Sequence, residues 1–179
     1  MRFLPKGVVI VLASLLPSLA AASMVQVLDL AEMTNRADRI VVAQVVSTKS
    51  AWDAQHRFIH TTIELEVDEV WKGTSAQHEI IVQPGGTVGD MEMRVHGMPQ
   101  FTAGEKTLLF LAGQDAPQVV GMSQGKRALR WTGKQWMADM AEHSALVRRD
   151  AQGRLQSALP EPVMELDELR QRVRALIRH

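Results

Sequence analysis

The chain has 179 residues, no cysteine, and 20 Lys and Arg residues that balance 20 Asp and Glu residues. The lack of cysteine excludes thiolate zinc sites, cysteine nucleophiles and disulfides. A formal net charge of zero gives no electrostatic reason to expect a nucleic acid or an anionic membrane as partner.

The first 22 residues have the pattern of a secretory signal peptide. Two cations, Arg2 and Lys6, precede an apolar run from Gly7 to Leu19, and alanines at positions 20–22 follow it. Because this run is shorter than the ~20 apolar residues that span a membrane, we expect cleavage before Ser23 rather than anchoring. The sequence therefore predicts a mature protein that is periplasmic or secreted and not attached to a membrane.

The first part of the mature chain predicts one short helix followed by two strands. Asp29 and Glu32 have the spacing of a capping box, which predicts a helix that ends near Ala37. The β-branched run from Ile40 to Val46 predicts a strand buried on both faces. From Arg57 to Trp71 apolar and polar residues alternate, which predicts a strand with one face on a core and one in water.

This alternation fails at Asp68 and Glu69, where the apolar and polar positions change places. A β-bulge or a sharp bend at these residues would restore the pattern. Such bends occur where a strand curls into a small barrel.

The remaining segments predict a sheet that is completed by a C-terminal helix. Residues 143–163 predict a mobile loop or an additional β-hairpin, and apolar residues at helical spacing from Leu166 to Ile177 predict an amphipathic helix. No repeat or linker divides the chain, so residues 23–145 are predicted as one β domain and residues 146–179 as a loop and helix packed on it. The predicted strands between these regions are His78–Gln83, Met91–Val95, Thr107–Ala112, Gln118–Met122, Arg127–Trp131 and Gln135–Met140.

One segment matches the G-x-S-x-G pattern of serine hydrolases. Ser123 lies between Gly121 and Gly125, and His143 follows in the order that an α/β-hydrolase uses. That motif needs a helix directly after the serine, whereas the residues that follow predict strands. A turn with two glycines around a surface serine is therefore favoured, and a small serine hydrolase is the first alternative function.

Methionine and histidine recur between residues 91 and 98. Met91, Met93, His96 and Met98 are residue types that bind copper(I) or silver. On a strand, however, Met91 and Met93 point away from the face of His96, which favours core filling by the methionines. We therefore predict no metal site and no cofactor, and a periplasmic metal or small-ligand carrier is the second alternative function.

The order of three motifs resembles that of the netrin-like modules. The motifs are residues 41–46 (VVAQVV), the strand end from Glu69 to Gly73 (EVWKG), and Phe101-x-x-Gly104-Glu105 followed by a Leu-Leu-Phe run. This family includes the tissue inhibitors of metalloproteinases and similar bacterial secreted proteins. The resemblance covers about residues 28–112, and Gly121 to Lys126 resembles a segment of bacterial exported proteins with this architecture.

The resemblance implies a mainly β, OB-fold-like (netrin-module-like) five-stranded barrel with a short N-terminal helix, an extra β-hairpin and a C-terminal amphipathic helix. It also implies a binding rather than a catalytic role. In the animal inhibitors an N-terminal cysteine chelates the zinc of the protease. Because this chain has no cysteine, that inhibitory mechanism does not transfer to it.

We therefore predict an exported, non-enzymatic protein-binding module that interacts with another exported protein. An exported metalloprotease, either bound or inhibited, is one candidate partner. The expected contacts are the glycine-rich region 85–98 and two tryptophans, since tryptophan is frequent at interface hot spots, although either tryptophan could equally belong to the core. The predicted binding residues are Trp52, Gly85, Gly86, His96, Met98 and Trp136.

Overall fold

A computed structural model describes residues 25–140, 146–149, 154–157 and 162–178. The predicted signal peptide, its cleavage position before Ser23, and His143 lie outside these ranges. The helices are α1 (Leu30–Arg36), α2 (Leu166–Ile177) and a 3-10 helix (Met122–Gly125). The strands are β1 (Val25–Gln26), β2 (Arg39–Trp52), β3 (Ile59–Lys72), β4 (His78–Pro84), β5 (Gly86–Val88), β6 (Met91–Met93), β7 (Lys106–Ala112), β8 (Gln118–Val119), β9 (Lys126–Trp131), β10 (Trp136–Met140), β11 (Leu146–Arg149), β12 (Leu155–Ser157) and β13 (Met164–Glu165).

Most strands belong to one antiparallel sheet. Its order is β13-β10-β9-β7-β2-β3-β4, and β8 pairs with the end of β7. The β5–β6 hairpin and the strands β1, β11 and β12 form two smaller sheets. A mainly β fold with two helices is thus confirmed, and the antiparallel pairing of β11 with β12 agrees with the hairpin predicted within residues 143–163.

The large sheet is open. Among the described strands, β4 pairs with β3, while β9 pairs with β7 and β10 rather than with β4. The second edge of β9 is occupied by β10 because a tight turn joins these two strands, with the amide of Thr132 donating to the carbonyl of Gln135 at 3.0 Å. The described strands therefore form an open antiparallel sheet, extended by β10 and β13, in place of the predicted five-stranded barrel.

The predicted capping box begins α1. The amide of Glu32 donates to Oδ1 of Asp29 at 2.8 Å, and the amide of Asp29 donates to Oε2 of Glu32 at 3.3 Å. At the other end of α1, Nζ of Lys72 donates to the carbonyls of Thr34 and Ala37 at 2.7 and 2.6 Å. Charged donors stabilise the free carbonyls at the end of a helix, so the lysine of the EVWKG motif fixes α1 on β3.

The bulge predicted near Asp68 and Glu69 is confirmed. Val42 pairs with Glu69, whereas the next residue of β2, Ala43, pairs with Val67, so Asp68 is the extra residue. Further register shifts lie on either side of it, between residues 40 and 41 and between residues 45 and 47 of β2. Repeated bulges increase the twist and the bend of a strand pair, which explains the curvature of β2 and β3.

The β2–β3 pair is longer than the sequence predicts. The predicted strand ends at Val46, yet β2 continues to Trp52 and stays paired with β3 as far as Ile59. The extension contains polar residues such as Thr48 and Ser50. The sequence therefore has no pattern of buried apolar residues that would predict it. It forms an arm that projects beyond the centre of the sheet.

One predicted strand is wrong in its second half. β8 ends at Val119, and the chain enters a 3-10 helix instead of remaining extended to Met122. Gly121 and Met122 have φ angles of 64° and 62°, which end an extended conformation.

The sheet is buried on both sides at its centre, as predicted for β2, and the same holds for β7. On the side of the helices, Ile40, Val42 and Phe110 pack with the buried Trp71 and with apolar residues of α1 and α2. A second core occupies the concave side, which we call the inner face. The residues of this inner face are Val41, Ala43, Val45, Ile63, Leu65, Ile81, Leu109 and Leu111.

The helices cover only part of their side of the sheet. Among the described residues, the apolar sheet residues packed with them come from β2, β3, β7, β9, β10 and β13, and none comes from β4. The uncovered part, formed by the second half of β2, the first half of β3 and β4, is called the outer face below. Strand register places Ser47, Lys49, Thr62, Glu64, Ile80 and Val82 on this outer face.

Candidate functional site

The predicted binding residues lie in two separate places. Trp52 ends β2 at the tip of the β2–β3 arm, where its ring stacks on His56 with centroids 6.0 Å apart. Gly85 and Gly86 follow β4 on the inner side of the same arm. The turn that contains His96 and Met98 adjoins these glycines, since a Cβ atom on Gly85 would lie 3.7 Å from Val95. Trp136 lies on β10, far from β4 in the strand order, so the sequence-predicted residues do not all form one surface.

The two glycines have a structural role at the corner between β4 and β5. Gly85 is buried with φ +99°, and its amide donates to the carbonyl of Ile59 at 2.8 Å. A Cβ atom on Gly86, where φ is +135°, would lie 2.3 Å from the hydroxyl oxygens of Ser50 and Thr61. The chain crosses the arm at this point so closely that only glycine fits.

The turn with His96 and Met98 packs beside the 3-10 helix. The amide of Met98 donates to the carbonyl of Val95 at 3.3 Å, and the carbonyl of Gly97 accepts from the amide of Ser123 at 2.8 Å. His96 is exposed, whereas Met98 is half-buried. The structure therefore places this turn against the G-x-S-x-G segment, a proximity that the sequence did not indicate.

Ser123 is not a surface residue, so the predicted surface turn is wrong on this point. It is 5% exposed, because the 3-10 helix is covered by the 95–98 turn. The chain after Gly125 enters strand β9. The arrangement is strand, 3-10 turn and strand, which differs from the strand, turn and helix that present a hydrolase nucleophile.

The methionines do not all fill the core as predicted. Met91 is 59% exposed and Met93 is half-buried, because the β5–β6 hairpin projects from the arm. Among the described residues, no three His, Asp or Glu side chains are placed to hold a metal ion.

Motif residues of the family resemblance form a buried charged cluster. The side chain of Lys126, 3% exposed, places Nζ 2.6 Å from Oε1 of Glu105 and 4.7 Å from the ring centroid of Phe101. The same ammonium donates to the carbonyl of Gln100. A buried cation needs such partners, so these residues fix the 100–105 loop on β9 and have a structural role.

A second buried ion pair joins the start of β2 to β4. Nε of Arg39 lies 3.5 Å from Oε1 of Glu79, and both side chains are about nine-tenths buried. Each of the two residues makes a further hydrogen bond. Glu79 accepts from the hydroxyl of Ser75 at 2.7 Å, and Arg39 donates to the carbonyl of Gly113 at 2.8 Å. Glu79 therefore has a structural role on the inner face.

Two adjacent apolar residues of β4 are exposed, and sequence reasoning missed them. Ile80 and Val82 are 54% and 51% exposed on the outer face, opposite Glu64 and Thr62 of β3. The sequence does contain a signal for this exposure. Residues 80–82 are all apolar, so both faces of this strand carry apolar side chains, whereas the residues of β3 opposite positions 80 and 82 face water. An apolar pair on a solvated face has no partner within the described part of the chain.

Among the described strands, β4 pairs only with β3, so the same two residues lie on an unpaired strand edge. The amide of Gly85 donates to the carbonyl of Ile59, and the amide of Val67 donates to the carbonyl of Gln77, so the odd-numbered residues of β4 bond to β3. Hydrogen bonding alternates along an antiparallel strand. The N–H and C=O groups of Ile80 and Val82 therefore point away from β3.

The sixth predicted residue, Trp136, lies on β10 beside α2. It pairs across the hairpin with Trp131 at a ring distance of 5.5 Å, and Nζ of Lys106 lies 5.3 Å from its ring centroid. Trp136 is half-buried against the core, whereas Trp131 is 52% exposed. Trp136 was predicted either as a core residue or as a surface contact. The structure shows that it packs partly on the core and remains partly exposed.

Comparison with known proteins adds no identity. No family model, no curated protein and no solved structure matches this chain. Within the described ranges, no helix is long and apolar enough to cross a membrane.

Proposed function

We propose that the protein is an exported, non-enzymatic binding module that interacts with another exported protein through the outer face. The observation that carries this proposal is the pair Ile80 and Val82, apolar, adjacent on one face and more than half exposed on an edge strand. Export rests on the signal-peptide pattern of residues 1–22.

Stability alone does not account for these two side chains. Burial of an apolar side chain contributes about 1.5–3 kcal/mol relative to leaving it exposed, and neither Ile80 nor Val82 obtains that contribution in full. Val46, also 50% exposed, is the extra residue of β2 between Val45, which pairs with Leu65, and Ser47, which pairs with Glu64. Contiguous exposed apolar groups with a polar rim are typical of interaction sites.

The chemistry of the face defines the kind of partner. Its apolar residues lie beside Glu64 and Glu66, both exposed, and Lys49 stands at its far side. A matching partner would present apolar side chains next to basic ones. An extended segment fits best, because the free N–H and C=O groups of β4 can pair with another strand.

The strand order supports an OB-like architecture as part of this proposal. In an OB barrel the first strand lies between the second and the fourth. With β2, β3, β4 and β7 as the first four barrel strands, β2 has this position, because it lies between β3 and β7. OB folds are predominantly binding scaffolds. A metalloprotease stays one candidate partner, but contact through β4 would differ from the cysteine-led mechanism of the animal inhibitors.

The experiment is affinity capture from the producing organism's exported proteins with three baits that start at Ser23. The baits are the unchanged sequence, the Ile80→Thr/Val82→Thr variant, and Met91→Gln as a control of similar exposure on the β5–β6 hairpin. Threonine keeps the β-branch and removes apolar surface.

We expect one stoichiometric protein with the unchanged bait and with Met91→Gln, and its loss with the β4 variant. Loss with Met91→Gln alone would move the site to the 85–98 region predicted from the sequence. A blank result with all three baits at micromolar concentration would contradict the proposed function.

A further inference from the structure

A small cleft lies between the β9–β10 hairpin and the start of α2, remote from β4 in the strand order. Its volume is about 180 Å³. We call it the tryptophan cleft, and six of its lining residues are Trp131, Gln135, Trp136, Glu165, Asp167 and Arg170. We propose that the tryptophan cleft binds one ring of an uncharged or zwitterionic saccharide.

The two tryptophans form an apolar corner. They are directly opposite in the β9–β10 register, with ring planes inclined by 54° and centroids 5.5 Å apart. Trp136 is held by the core and by Lys106, while Trp131 is 52% exposed. The C–H face of a sugar ring packs on such an indole, because the face of an aromatic ring is electron-rich.

The rim of the cleft supplies both hydrogen-bond donors and acceptors. Gln135 can do both, Glu165 and Asp167 accept, and Lys134 and Arg170 donate. Sugar hydroxyls need donors and acceptors together. Since two cations and two carboxylates cancel, the rim favours a ligand without a large net charge and disfavours phosphates and nucleic acid.

The rim side chains of the cleft are held in place by contacts with one another and with β3. Thr132 and Gln135 close the hairpin turn, and Nε2 of Gln135 donates to Oε1 of Glu165 at 2.5 Å. Arg170 is held by Asp167 at 2.6 Å and by Glu69 at 2.7 Å. Groups that are already fixed lose little conformational entropy when a ligand binds.

A peptide strand is disfavoured at this position. One edge of β10 pairs with β9, and the other pairs with β13 at Met137 and Ala138, so the edge of β10 nearest α2 is already partly occupied. The cleft is also smaller than the roughly 300–1,000 Å³ of sites for larger ligands. One sugar ring, at a chain end or within a chain that continues into solvent, fits this shape.

The test is NMR titration of the protein beginning at Ser23, using the four indole N–H signals of its tryptophans. The probes are N-acetylglucosamine tetrasaccharide, cellotetraose and, as the alternative class, a proline-rich peptide. We expect one of the two saccharides to shift the indole N–H signals of Trp131 and Trp136 and to leave the signals of Trp52 and Trp71 unchanged.

Variants then check the site. We expect Trp131→Ala to weaken saccharide binding about tenfold or more and Lys134→Ala, an exposed position, to weaken it less, while the Trp52→Ala control binds as the unchanged protein does. Saccharide shifts confined to Trp52, binding of the peptide alone, or no shifts at millimolar probe would each overturn the proposal. The affinity capture through β4 tests the proposed function separately, and its outcome does not depend on saccharide binding in the tryptophan cleft.

Discussion

Strands β3 and β4 are neighbours in one sheet, yet they distribute polarity in opposite ways. β3 places Ile63 and Leu65 on the inner face and acidic residues in water. β4 places a charged residue, Glu79, directly opposite Leu65 on the inner face, and places Ile80 and Val82 in water. The alternation of β3 is what folding requires, whereas the exposed apolar pair of β4 belongs to neither core, which is why we propose a binding role for it.

The largest effect is expected on the inner face of β3. Ile63→Ala should reduce the free energy of unfolding by about 4 kcal/mol, because a fully buried side chain leaves a cavity that neighbours only partly fill. Chemical denaturation measures this loss, and Ile81→Ala on the inner face of β4 should behave alike. A loss below about 1 kcal/mol at either position would show that the concave core is not tightly packed.

The next effect concerns the buried acid of β4. Glu79→Ala should reduce the free energy of unfolding by about 3 kcal/mol, because it leaves Arg39 buried without its carboxylate. The double variant Arg39→Met/Glu79→Leu should lose much less, since an apolar pair can replace a buried ion pair. Equal losses in the single and the double variant would refute this assignment of Glu79.

A smaller effect is expected where β4 ends. Gly86→Ala should reduce the free energy of unfolding by about 2 kcal/mol, because of its positive φ and the close approach to Ser50 and Thr61. Gly89→Ala, where φ is also positive but no atom lies within 4 Å, is the matched control and should lose less. Similar losses at both positions would attribute the effect to φ alone and not to the crossing of the arm.

The smallest effect on stability is expected on the outer face. Ile80→Thr/Val82→Thr should change the free energy of unfolding by no more than about 0.5 kcal/mol, because both side chains are half exposed. Thermal unfolding of this variant beside Ile63→Ala measures the contrast between the strands. A loss that approaches that of Ile63→Ala would mean that the apolar pair serves the fold.

The sequence predicts most local structure because local rules determine it. The capping box at Asp29 and Glu32, the bulge at Asp68 and the helix from residue 166 all depend on spacing within a few residues. The 3-10 helix was missed because φ at Met122 is positive, which its residue type does not indicate. The extension of β2 to Trp52 was missed because its polar residues pair without being buried.

The candidate site was less predictable than the fold. The glycines and tryptophans drew attention as residue types, but Gly86 is required by a close approach and Trp136 is partly core. Exposure of Ile80 depends on which part of the sheet the helices cover, and that follows only from tertiary packing. Likewise, the burial of Ser123 results from the 95–98 turn, which is distant in sequence.

The most direct test of the β4 assignment is photo-crosslinking in cells of the producing organism, with p-benzoylphenylalanine in place of Ile80. The control carries the same residue in place of Val163, which is 45% exposed and precedes β13. The account predicts one discrete cross-link to another exported protein from position 80 and none from position 163. No product from position 80, a product that contains only this chain, or the same product from both positions would contradict it.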